Sequence, residues 1–113
     1  MNYVILGLSR FGVQLARLLV ERGHRLTIID RNPEHFSRLG KDFPASLVLG
    51  TGIDVDVLRR GNIESADAFI AATDSDTTNL MAAQVVKEVF SVKRCIARAH
   101  DETRVELFNS LGL

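Results

Sequence analysis

The run Gly7-Leu8-Ser9-Arg10-Phe11-Gly12 sits between a β-branched apolar stretch, Tyr3-Val4-Ile5-Leu6, and a stretch with helical periodicity. At a strand-to-helix turn such a run offers the unpaired N–H groups of a helix start to an anion, so the chemistry it points to is phosphate or pyrophosphate binding. Gly7 permits the tight turn and Gly12 permits helix and strand to pack closely. Ser9 stands where a glycine normally lets the backbone approach a pyrophosphate. Its hydroxyl could donate to a phosphate oxygen, or its side chain could narrow the cradle and weaken diphosphates.

Asp30 ends the second apolar run about twenty residues beyond the loop, where a carboxylate can accept hydrogen bonds from ribose hydroxyls. The same charge disfavours a 2′-phosphate, which Arg31 next to it partly offsets, so NAD or an adenosine nucleotide is expected over NADP. Two further segments are expected at the same crevice, Gly50-Thr51-Gly52 and Ala72-Thr73-Asp74, because ligands of doubly wound sheets lie outside the carboxyl ends of the strands. Their small residues leave room for an adenine and ribose, and Thr73 can cap or hydrogen-bond.

Other chemistry is poorly supported. Asp54 with Asp56, and Asp74 with Asp76, each lie at a predicted helix start, where the helix dipole accounts for them without a metal. His24, His35 and His100 fall on separate connections, and no serine or cysteine beside them carries a nucleophile signature. The lone Cys95 has no disulfide partner and reads as a small buried hydrophobe.

These residues need elements to position them. Five short runs, at residues 3–6, 26–29, 46–49, 68–71 and 94–97, alternate with helix-period segments, which predicts an α/β, Rossmann-type doubly wound parallel sheet. Continuous apolar runs imply strands covered on both faces, and right-handed crossovers favour the order 3-2-1-4-5 with helices on both sides. The first helix carries Phe11, Leu15, Leu18 and Leu19 on one stripe and ends at Gly23. A second, shorter helix starts at Asn32 and Pro33, and a third runs from about Asp54 to Arg60 before Gly61. The fourth opens with Asp76, Thr77 or Thr78 as cap, and its broad apolar surface suits either a deep core position or a subunit interface. The last, over about 101–111, places Val105, Phe108 and Leu111 together.

A chain of 113 residues suits one domain, here 1–113. Fourteen basic and fourteen acidic residues cancel, which argues against generic nucleic-acid binding. The apolar runs are too short and too broken by charge for membrane insertion, so a cytoplasmic protein is expected.

The glycine loop, Asp30-Arg31-Asn32, the segment Ala71-Ala72-Thr73-Asp74-Ser75-Asp76 with Asn79, Ala97-Arg98-Ala99 and the closing Leu111-Gly112 together resemble one family along nearly the whole chain. It is the N-terminal lobe of RCK domains, the regulators of potassium conductance of Trk and Ktr uptake systems and some channels. The resemblance implies a cytosolic regulator without turnover that binds NAD(H), ATP, ADP, AMP or a related nucleotide. It further implies a homodimer or higher ring that signals to a membrane potassium transporter or channel subunit and sits at the inner face of the membrane through that partner. By motif match, Arg10 approaches phosphate or ribose, Asp30 the ribose, Thr51 and Gly52 the adenosine, Thr73 and Asp74 the crevice floor, and Arg98 a phosphate. Ser9 and Thr51 depart from the family's usual glycine and aspartate. Two other functions are open to the same sequence: the nicotinamide-binding domain of an oxidoreductase, and an assembly module whose nucleotide site has decayed.

Overall fold

The computed structural model describes residues 1–113. Five parallel strands, β1 (Asn2–Leu6), β2 (Arg25–Asp30), β3 (Ser46–Leu49), β4 (Ala68–Ala71) and β5 (Arg94–Ala97), form one sheet in the order β3-β2-β1-β4-β5. The expected strand order therefore holds. Its registers, such as Ile5 opposite Ile28 on one side and Ile70 on the other, bring the C-terminal ends of β1, β2 and β4 to one rim. The order reverses at β1, and that switch point is where a crevice opens.

Strand pleating sends alternate residues to opposite faces, and each face has its own core. On one side Val4, Leu6, Ile29, Phe69 and Ala71 pack with Val57 and Leu58 of α2 (Val55–Arg60) and with Ala82 and Ala83 of α3 (Asp76–Val85). On the other, Ile5, Leu26, Ile28 and Ile70 pack with Val13, Ala16 and Leu19 of α1 (Arg10–Glu21) and with Leu39. The sheet is thus the middle of three layers.

The expectation of strands covered on both faces holds for β1, β2 and β4 only. At the sheet edges, Leu47 and Leu49 of β3 and Ile96 of β5 are about half exposed. The expected stripe on the first helix is also corrected. Small residues, Gly12, Val13 and Ala16, lie against the sheet with Leu19, whereas Phe11 and Leu18 face outward. Close approach of helix to sheet favours the small side chains, so residue size misleads there. Gly23 follows the end of α1 at φ +83°, the left-handed conformation expected of it.

The second helix is a 3₁₀ segment, Pro33–Leu39, with the Asn32 side chain accepting the Glu34 N–H as predicted. Asp54 caps α2 by accepting the N–H groups of Asp56 and Val57. The cap of α3 is Ser75, which accepts the Thr78 N–H, and not Asp76, Thr77 or Thr78. Asp76 in the first turn is bound elsewhere, as described below. After Val85 the helix widens into a π-helical turn, Val86–Phe90, with Val86 buried and Val89 exposed. In α4 (Glu102–Ser110) only Phe108 is buried, while Val105 and Leu111 remain exposed. Cys95 is half-buried, less than expected, and packs at the border of the α2/α3 core. Burial pushes its thiol up from the ordinary value, against a smaller lowering by Lys87.

Candidate nucleotide cleft

The site begins with the turn out of β1. Gly7 continues the sheet by donating its N–H to Ile29 O at 2.8 Å and then turns at φ +99°. A Cβ there would lie 2.8 Å from the Thr73 backbone, so the loops after β1 and β4 touch through this glycine. A Cβ on Gly12 would lie 2.1 Å from Gly7 O, which explains why α1 can start so close to the strand.

The Ser9 hydroxyl is turned into the protein. It donates to Ala72 O at 2.6 Å and accepts the Gly12 N–H at 3.2 Å, capping α1 and tying the glycine loop to the end of β4. Its hydrogen is therefore committed to Ala72 O, and its Cβ is buried with it. The first turn of a helix leaves its N–H groups without intrahelical partners. With Gly12 satisfied by Ser9, the N–H groups of Ser9, Arg10 and Phe11 are left without a protein partner.

Asp30 is buried at the end of β2 and accepts three donors. Leu8 N–H reaches Oδ2 at 2.8 Å, Asn32 N–H reaches Oδ1 at 2.8 Å, and His35 Nδ1 lies 3.0 and 3.1 Å from the two oxygens. The carboxylate thus holds the glycine loop as well as facing the cleft. Arg38 completes this side by donating to Leu8 O at 2.6 Å.

Asn79, fully buried on α3, organises the opposite wall. Its Oδ1 accepts from the Thr73 N–H at 2.9 Å and the Thr73 hydroxyl at 2.6 Å, and its Nδ2 donates to Thr73 O and Arg98 O, both at 3.0 Å. One side chain thereby joins the loop after β4 to the end of β5. Behind it, the Asp76 carboxylate accepts the His100 N–H at 3.0 Å and the His100 ring, with Arg104 3.6 Å away. The His100 side-chain hydrogen bond, helped by the His100 backbone N–H, holds the Asp76 carboxyl below its ordinary value, although burial opposes it.

Between these walls lies a cleft of about 390 Å³. Of the residues expected at a ligand, Gly7, Ser9, Asp30, Arg31, Thr51, Gly52, Thr73 and Asp74 line it. Arg10, Phe11, Gly12, Ala72 and Arg98 do not. Ala72 and Gly12 are buried beneath the loop, and the Arg98 guanidinium rests over the Phe11 ring, 5.1 Å from its centre. The cleft also takes in His35, Thr78, Ile53 and Met81, the last two about half exposed. Sequence reasoning left these out; His35, close after a strand-terminal Asp30 and inside a capped turn, carried the one usable signal. No three His, Cys, Asp or Glu side chains are grouped to hold a metal ion.

Comparison with known proteins agrees with this architecture. The TrkA-N domain family matches residues 3–113. The Trk system potassium uptake protein TrkA of Streptomyces coelicolor is 42% identical over 113 residues, all of this chain and 51% of that protein. A TrkA homolog of Methanothermobacter thermautotrophicus is 34% identical, again over all of this chain and 52% of its own length. The chain spans about half the length of these curated relatives. Among solved structures, a Shewanella denitrificans Kef CTD in AMP-bound form superposes with a TM-score of 0.85 at 25% identity, covering 99% of this chain and 67% of that one. The GsuK RCK domain superposes with a TM-score of 0.84 at 26% identity, covering 98% of this chain and 23% of that one.

Proposed function

Because this chain belongs to the TrkA-N domain family, we propose that it is a regulatory lobe that takes NAD(H) or an adenine nucleotide in the cleft and conveys its occupancy to a membrane potassium transporter or channel subunit. One observation carries the reading. The Asp30 carboxylate and the loop residues Gly7 to Ser9 line one cleft, beside the unpaired N–H groups that open α1, an arrangement that suits a phosphate and its ribose. Ile53 and Met81 supply apolar surface for a base, and the volume falls within the range of about 300–1,000 Å³ usual for small-molecule sites. AMP bound by the Shewanella Kef domain supports an adenine nucleotide here.

The reading is regulatory and not catalytic: the groups lining the cleft bind and orient. Arg31 and Asp74 border it, and Thr51 and Gly52 flank the adenosine end. Gly12 and Ala72 shape the loop from beneath, whereas Arg10, and Arg98 stacked on Phe11, lie outside the lining. The whole protein would act at the inner face of the membrane through its partner, as a homodimer or ring; no helix of this chain is long and apolar enough to cross a membrane.

Thermal unfolding with AMP, ADP, ATP, NAD and NADH tests the proposal. A ligand at a hundred times its Kd stabilises the folded state by about 2.7 kcal/mol, which raises Tm by several degrees. No rise with any of them at millimolar concentration contradicts it. A second reading, an assembly module with a decayed site, is favoured by one observation: the Ser9 and Thr73 hydroxyls are both satisfied internally. Light scattering separates the two, since assembly indifferent to every nucleotide supports the second.

A further inference from the structure

The acceptor that a ribose needs is already occupied. Two of the donors on Asp30, Leu8 N–H and Asn32 N–H, are backbone groups fixed by the loop and the turn. The third is the side chain of His35, which lines the cleft, is about 30% exposed and spans both carboxylate oxygens. A carboxylate offers about four lone-pair positions, so two backbone donors leave room for a diol and three donors with a shared imidazole do not.

We infer that His35 is a specificity-determining residue of the cleft: its imidazole competes with the 2′- and 3′-hydroxyls of a ribonucleotide for the Asp30 carboxylate and thereby sets the advantage of a diol over a deoxy sugar. This rests on the nucleotide reading of the cleft. Binding then proceeds by exchange, the Nδ1–H leaving the carboxylate as the sugar hydroxyls arrive, while the backbone donors keep Asp30 in place. Affinity for the diol is reduced by the strength of the contact given up. A net hydrogen bond of this kind corresponds to a factor of about three to ten.

Calorimetric titration of the chain with AMP and with 2′,3′-dideoxy-AMP tests the inference. His35→Ala is expected to tighten AMP about three- to tenfold while leaving the dideoxy analogue unchanged. His35→Asn, which keeps an N–H donor, is expected to hold the AMP-to-dideoxy ratio near that of the unsubstituted chain. A ratio that does not move in His35→Ala, or AMP binding that weakens, overturns the role of His35 while leaving the nucleotide site standing. Absence of AMP binding by both proteins overturns the site and this inference together.

Discussion

Asp30 has two tasks that compete for the same atoms. It lines the cleft where the proposed ribose would bind, and it holds the glycine loop through the buried Leu8 N–H. Removing the carboxylate therefore leaves buried donors unsatisfied even without a ligand, at about 1–3 kcal/mol. Asp30→Ala is expected to lower the urea midpoint of the nucleotide-free chain accordingly, and to weaken AMP by a further ~1–3 kcal/mol. An unchanged midpoint would remove the loop-holding role. The position of Asp30 at the end of β2, on the cleft, was legible from its spacing to the loop. Its partner His35 gave only a positional hint, because spacing alone does not show that a side chain of the 3₁₀ turn bends back onto the last residue of β2. Ser9 was legible only as a departure. That its hydroxyl turns inward to Ala72 O depends on a long-range contact between two loops.

At the scale of elements, the two ends of α1 show what a glycine is for. Gly12 is tight against the Gly7 carbonyl, a backbone atom that cannot yield without moving the helix. Gly12→Ala is expected to cost about 1–3 kcal/mol in urea unfolding and to abolish AMP binding. Gly23 has open space around it, so Gly23→Ala should cost only the left-handed backbone, about 1–2 kcal/mol, and leave binding intact. Equal losses of binding in both would contradict this account of the loop.

The start of α3 is pinned by charge as well as by its cap. Asp76 is held below its ordinary pKa of 3.8 chiefly by the His100 side chain, so its contribution is present above that value and is lost as pH falls through the lower folded one. Wild type and Asp76→Asn should differ above about pH 3.8 and converge as pH drops below it in urea titrations. Parallel curves through the acid range would contradict the pairing. The element boundaries here were partly legible: helix and strand alternated visibly, but a polar run from Asp74 to Thr78 hid that Ser75 caps, and Asp76 was read as a dipole effect because its partner lies on the far side of β5.

Across the whole molecule, the strand order was legible because β-branched runs alternate with helical ones and few topologies satisfy right-handed crossovers. What the runs did not reveal was how much of their apolar surface the chain itself covers. Ile96 on β5, Val105 and Leu107 on α4 and Leu111 just after it remain about half exposed, as do Leu47 and Leu49 at the other edge. The central strands supply the rim; the loops after β1, β2, β3 and β4 make the cleft on it. That cleft is where a nucleotide is proposed to bind. Calorimetric titration of the unsubstituted chain with AMP measures this most directly: saturable binding that Gly12→Ala abolishes is the predicted result, and no heat of binding up to millimolar AMP, ADP, ATP, NAD or NADH would contradict it.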